Sequence, residues 1–141
     1  MSVETALTTA FMVIVSVVGT GGNSLVILAI LHKRRLRNIP NFFIFDLAVC
    51  DLLTVALAVP LRLVEGFQPG SIPCSIVIAV TILFDGLSRI NIIFISIDRL
   101  IAVKFPFAYN TYMTNTTAAI LIITGWVVMT VFAILPFLAW V

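Results

Sequence analysis

Four long stretches of the chain are almost entirely apolar, and short polar segments separate them. The stretches cover about residues 6–31, 41–65, 74–103 and 114–140. Each is long enough to cross the hydrocarbon core of a bilayer as a helix, which takes about 20 residues. A segment surrounded by lipid has to satisfy its own backbone hydrogen bonds. We therefore predict an all-α membrane protein with four transmembrane helices.

The composition excludes a soluble globular domain. Hydrophobic residues make up 62% of the 141 positions and charged residues only 10%, whereas soluble domains have about half and a quarter. Two cysteines and one histidine are too few for a disulfide-rich scaffold or a cysteine and histidine metal site. The chain contains neither a His-Glu-x-x-His nor a Gly-x-Ser-x-Gly motif. We expect no enzyme, no metal site and no nucleic-acid partner.

The distribution of basic residues predicts the orientation in the membrane, because cytoplasmic loops carry an excess of Lys and Arg. Six basic residues fall on one side of the spans: Lys33, Arg34, Arg35, Arg37, Arg99 and Lys104. On the other side, the only one is Arg62. The side with six is predicted to be cytoplasmic, which places the N-terminus outside.

The third span has two charges within its apolar sequence, Asp85 and Arg89. Each opposes insertion by about 2.5 to 3.5 kcal/mol at the centre of a helix. The two residues are four apart and share one helix face, so we predict a buried ion pair between them. A polar face of this kind contacts other helices or a water-filled cavity. The third helix is therefore expected near the centre of a bundle.

Several short motifs occur in a fixed order along the spans. They are Gly22-Asn23 in the first span, Leu47-Ala-Val-Cys-Asp51-Leu in the second, Cys74 at the start of the third, Asp98-Arg99 near its end with Pro106 following, and Trp126 in the fourth. Together they resemble the rhodopsin-like (class A) G-protein-coupled receptors, with the chain covering helices one to four of seven. Leu100 stands where that family usually has Tyr.

The resemblance implies a plasma-membrane receptor that activates a heterotrimeric G protein in response to an extracellular ligand. Membrane lipid would be a further partner. The activity would be incomplete in this chain, which we expect to be a partial gene model, a splice form or a fragment.

The resemblance also implies a coupling switch at Asp98 and Arg99, in which the carboxylate pairs with the arginine until activation releases it. An ordinary interfacial charge pair is the alternative. Phe105, Pro106 and Phe107 would lie in the loop that contacts the G protein.

A polar core is implied at Asn23, Asp51 and Ser88, including a possible sodium site. A structural hydrogen-bond network is the alternative for Asp51. Arg89 departs from the family pattern, and its cation could pair with Asp51 or Asp85 in place of sodium. We therefore expect no cofactor.

Two structural features are also expected. Asp46 is interpreted as a packing residue with Trp126 Nε1 as its possible donor. Cys74 resembles the half of a disulfide whose partner would follow Val141, whereas Cys50 is expected to be a packing residue.

Candidate ligand contacts are Thr81, Asp85 and Arg62. Amine receptors of the resembled family have an Asp seven residues after the cysteine, where this chain has Thr81. An amine is therefore not favoured, and peptide, lipid and small neutral ligands remain open.

The competing hypothesis is an autonomous four-helix membrane protein, such as a small proton-coupled transporter that uses Asp51, Asp85 and Arg89 as a relay. The Asp98-Arg99 motif, the lone Cys74 and the strong basic bias count against it.

Overall fold

The computed structural model describes residues 2–139. Its four long helices are Val3–His32, Ile39–Phe67, Cys74–Lys104 and Asn115–Ala139, here called the first to fourth spans. Each is long and apolar enough to cross a membrane. A short 3-10 turn, Arg34–Leu36, follows the first span, and a short helix, Pro106–Tyr112, follows the third. The described residues contain no strand, so the predicted all-α class with four membrane helices is confirmed.

Polar side chains fix the starts of three spans by accepting hydrogen bonds from free backbone N–H groups. Ser2 Oγ accepts from Thr5 N at 3.2 Å, and Asn38 Oδ1 accepts from Asn41 N at 3.1 Å. Thr114 Oγ1 accepts from Thr117 N at 3.3 Å. The Asn38 cap explains why the second span begins at Ile39, two residues before the purely apolar stretch that starts at about residue 41.

The second span is not a uniform α-helix. A π-helical turn, Thr54–Ala58, interrupts it just before Pro60. Proline has no N–H to donate to the preceding turn, and its ring displaces the backbone there. A π turn accommodates such a disruption by adding one residue to the helical circuit. Thr54 Oγ1 also donates to Cys50 O at 2.9 Å.

The third span lies between the second and fourth spans, and the first span packs against the second. Two glycines allow the third and fourth spans to approach closely. A Cβ on Gly86 would collide with Met129 Sδ, and a Cβ on Gly125 would lie 3.2 Å from Ile90 Cγ2. Small residues at such positions are typical of helix packing in membranes.

Six buried side chains form two clusters between the second, third and fourth spans. Phe43 and Ala118 pack with Met113 in one cluster, and Cys50 packs with Phe84 and Leu87 in the other. Most large apolar side chains of the first span are exposed, for example Phe11 and Ile14. An apolar exterior around a narrow core fits a multi-pass membrane protein.

Candidate functional site

The most fully satisfied charged group is Asp98, near the end of the third span. Its side chain is 0% exposed, and Oδ2 accepts from Arg99 Nη2 at 2.7 Å and from Arg99 Nε at 3.1 Å. Oδ1 accepts from Tyr109 Oη at 2.6 Å. The Arg99 side chain remains 55% exposed. A buried carboxylate therefore holds an arginine whose guanidinium still reaches the surface.

Tyr109 was not among the residues expected from the sequence. It belongs to the short helix Pro106–Tyr112, which Pro106 begins after the non-helical Phe105. Burial, and next the hydrogen bond to Asp98, raise the pKa of the Tyr109 hydroxyl above its ordinary value. The hydroxyl is therefore protonated near neutral pH and can donate. The sequence did offer a clue to Tyr109. A buried carboxylate needs several hydrogen-bond donors, and this tyrosine follows Asp98 closely in the chain.

The three residues expected to contact a G protein lie beside this cluster. Phe105 is 59% exposed and Phe107 is 99% exposed. Pro106 between them is also exposed. The structure thus exposes Phe105 just before the helix that carries Tyr109, and it exposes Phe107 on that helix.

A second polar cluster joins three spans in the interior. Asp46 Oδ1 accepts from Trp126 Nε1 at 3.0 Å, the donor expected from the sequence, and Asp46 Oδ2 accepts from Asn91 Nδ2 at 2.7 Å. Asn91 is 1% exposed, and its Nδ2 also lies 3.1 Å from Leu87 O. Asn91 was not singled out from the sequence. The sequence did offer a clue to Asn91, because it is a polar residue two turns before Asp98 on the same helix face.

The residues expected in the polar core are only partly brought together. Ser88 Oγ donates to Asp51 Oδ1 at 2.9 Å, which links the third span to the second. Asn23 Nδ2 instead donates to Gly19 O at 2.8 Å, within its own helix. Asn23 is a small side chain on a half-exposed helix face, and its nearest acceptor is the carbonyl one turn back.

The ion pair expected between Asp85 and Arg89 is replaced by another. Asp85 Oδ2 lies 3.7 Å from Arg62 Nη2, and the same nitrogen donates to Thr81 Oγ1 at 3.3 Å. Arg62 reaches across from the second span, whereas Arg89 lines a cavity toward Met129 on the fourth span. The neighbouring helix therefore supplies the partner of Asp85, and Arg89 forms no ion pair with any residue in the described range 2–139.

The remaining candidates concern the cysteines and metal ions. Cys74 is exposed and Cys50 is buried, and neither forms a disulfide within the described residues. Among those residues, no group of three or more His, Cys, Asp or Glu side chains could hold a metal ion.

Comparison with known proteins agrees with the motifs and the helices. Residues 22–141 match the family described as 7 transmembrane receptor (rhodopsin family). The D(1A) dopamine receptor of Didelphis virginiana is 38% identical over 119 residues, which cover 82% of this chain and 27% of that receptor. The corresponding receptor of Xenopus laevis is 37% identical, over 82% of this chain and 26% of the receptor. The D(1) dopamine receptor of Carassius auratus is 36% identical, over 82% and 33%.

The family match covers most of the chain, and the resemblance seen in the motifs is confirmed. The chain belongs to the rhodopsin family of seven-transmembrane receptors. It spans about a quarter to a third of the length of the curated relatives it matches.

Proposed function

We propose that this chain forms part of a G-protein-coupled receptor of the plasma membrane, with its N-terminus extracellular. An extracellular ligand would bind near Thr81, and a heterotrimeric G protein would bind at the opposite end, near Arg99. The observation that carries the proposal is the buried Asp98 carboxylate, which holds an arginine that remains more than half exposed.

This arrangement suits a two-state switch. Hydrogen bonds between an arginine and a carboxylate are stronger than neutral ones, and burial of the carboxylate strengthens them further. Exposure of the guanidinium weakens the pair through solvent screening. Asp98 would therefore stabilise the inactive state by a modest amount. After Arg99 leaves, the Tyr109 hydroxyl would still satisfy the carboxylate.

The neighbouring surface has the character of a protein contact. Phe105 and Phe107 expose aromatic side chains close to Arg99. Aromatic residues and arginine are enriched at the centres of protein interfaces. These residues would form the apolar contact with the G protein when Arg99 is released.

The transporter hypothesis is not favoured. The family match is to receptors. The acidic side chains of the hypothetical relay also belong to separate pairs, since Asp51 accepts from Ser88 and Asp85 pairs with Arg62. A relay would need these groups to exchange a proton along a connected path. A sodium ion at Asp51 and Ser88 stays a prediction, with two candidate side chains in place.

The test is basal G-protein activation by the full-length protein in cells, measured at equal surface expression. Asp98→Asn keeps the shape but removes the charge, so we expect basal activation to rise severalfold. Arg99→Ala should abolish coupling, and the double variant should be as inactive as Arg99→Ala. The matched control is Glu4→Gln, which also replaces a carboxylate by an amide, at an exposed position in the first span.

Equal loss of coupling from Asp98→Asn and Arg99→Ala, with no rise in basal activity, would contradict the switch. The pair would then be structural only.

A further inference from the structure

The connection between the first and second spans carries a dense group of positive charges. Four basic residues fall within five successive positions: Lys33, Arg34, Arg35 and Arg37. No acidic residue occurs between Glu4 and Asp46. The first span has 30 residues and ends at His32, and a helix of that length crosses about 45 Å, the full bilayer with its headgroup regions. The length of the first span therefore places these cations at headgroup depth, however the spans pack against one another.

The four cations are not equivalent, because the fold uses Arg37. Its Nη2 donates to Leu31 O at 2.7 Å, and its Nε donates to Ile30 O at 3.4 Å. These carbonyls belong to the last turn of the first span, where no further helical N–H group is available to bond them. A cation is also favoured at this end of the helix dipole. Arg37 therefore caps the first span and folds the connection back against it.

Other hydrogen bonds hold the connection in one shape. Leu36 N donates to Lys33 O at 3.0 Å, and Asn41 Nδ2 of the second span donates to Leu36 O at 2.7 Å. The 3-10 turn is thereby tied to both spans. Lys33, Arg34 and Arg35 all have exposed side chains. The fold thus presents three successive cations on a turn fixed at the membrane surface.

We propose that Lys33, Arg34 and Arg35 bind the anionic headgroup of a phospholipid in the cytoplasmic leaflet, and that Arg37 shapes this site. The inference goes beyond the proposed receptor function. Basic residues next to the cytoplasmic end of a membrane helix attract anionic lipids. A guanidinium also presents two parallel N–H donors to a phosphate or carboxylate, the two anionic groups of phosphatidylserine. A lipid is favoured over a soluble phosphate because the first span holds the site where headgroups are concentrated.

The experiment uses the full-length protein in lipid nanodiscs, with a fluorescent amino acid in place of the exposed His32. Brominated lipid close to this position quenches the fluorescence. Brominated phosphatidylserine and brominated phosphatidylcholine are compared at the same mole fraction. The ratio of the two quenching efficiencies measures the local preference for the anionic headgroup.

We expect the unchanged protein to prefer phosphatidylserine. Arg34→Ala and Arg35→Ala should each lower the preference about fivefold, the effect of one basic charge near an anionic surface. Arg37→Ala is the matched control, since it removes the same charge from the same connection. It should keep most of the preference but lower the thermal unfolding midpoint, because Arg37 bonds the carbonyls of the first span. Arg34→Lys combined with Arg35→Lys preserves both charges and serves as the folding control.

Equal losses of preference from the three alanine variants would overturn the proposal, because net charge alone would then attract the lipid. A preference that is absent from the unchanged protein, or that survives Arg34→Ala combined with Arg35→Ala, would also overturn it. Inorganic phosphate in place of chloride at equal ionic strength should leave the preference intact, and its loss would indicate a site for soluble phosphate instead. The readout involves no G protein, so its failure is distinguishable from failure of the Asp98 and Arg99 test.

Discussion

Asp98 receives its hydrogen bonds from two different sources. Arg99 is its neighbour on the same helix, whereas Tyr109 comes from the short helix that follows. The two donors occupy different carboxylate oxygens, so release of one leaves the other in place. Release of Arg99, the proposed switch, would therefore change the partner of the arginine without leaving a buried carboxylate unsatisfied.

The Tyr109 hydroxyl provides a direct test of this contact. Burial and the bond to Asp98 raise its pKa, so Asp98→Asn should lower the pKa partway toward the ordinary value of about 10. The contribution of this bond to stability is present below the pKa of the unfolded chain and is lost as pH rises through the raised pKa. Tyrosinate absorbance measures the titration.

The measurement uses the 141-residue chain with Tyr112→Phe, which leaves Tyr109 as its only tyrosine. A Tyr109 pKa equal to that of free tyrosine in the otherwise unchanged chain would show that the bond to Asp98 is not formed.

Several residue contacts follow from the sequence and others do not. Asp98 and Arg99 are adjacent, and a tryptophan N–H has few acceptors in an apolar span, so its bond to Asp46 could be anticipated. The pairing of Asp85 with Arg62 could not be anticipated, because it depends on how the second span is rotated about its axis. Tyr109 depends in the same way on the placement of a short helix after Phe105.

At the scale of helices, the second, third and fourth spans are joined by packing and by one polar cluster. Asp46, Asn91 and Trp126 each come from a different span, and the Asn91 and Trp126 side chains both donate to the Asp46 carboxylate. The number and length of the spans follow from the apolar stretches, because length is set by membrane thickness. The contacts between spans depend on individual small residues, and the periodicity of apolar positions in the sequence does not reveal which ones.

Close packing of the third and fourth spans can be tested at Gly86. An added Cβ would meet Met129 Sδ, so Gly86→Ala should lower stability by about 1 to 3 kcal/mol, as overpacking does. Met129→Ala should restore much of the loss when combined with it, because the obstructing sulfur is removed. Thermal unfolding of the purified chain measures both effects.

Gly21→Ala is the matched control. A Cβ at Gly21 meets nothing within 4 Å, so the gain in helix propensity should leave stability unchanged or slightly higher. Additive losses from Gly86→Ala and Met129→Ala would show that the two residues are not in contact.

At the scale of the molecule, successive spans are joined by short connections, and the basic residues collect at one end. Lys33, Arg34 and Arg35 follow the first span, and Lys104 ends the third. The other end carries the loop between Phe67 and Cys74, where Gly70 has a φ of +82° and donates to Glu65 Oε1 at 2.8 Å.

We expect this loop to be extracellular. An acceptor sequon inserted with a spacer between Gly66 and Pro73 should be glycosylated, whereas one placed at Arg35 or Asn110 should not, because basic loops resist translocation. Gel mobility before and after glycosidase treatment measures the outcome. The opposite pattern would invert the orientation and every role that depends on it.

The π turn in the second span has a consequence for insertions and deletions. Each residue advances an α-helix by about 100°, so the extra residue in the Thr54–Ala58 circuit sets the direction of everything beyond it. Arg62 meets Thr81 and Asp85 only in that direction. A chain with one residue fewer in this turn would point Arg62 elsewhere even if Thr81 and Asp85 were unchanged. The partner of Asp85 therefore depends on the number of residues in a turn of the neighbouring span.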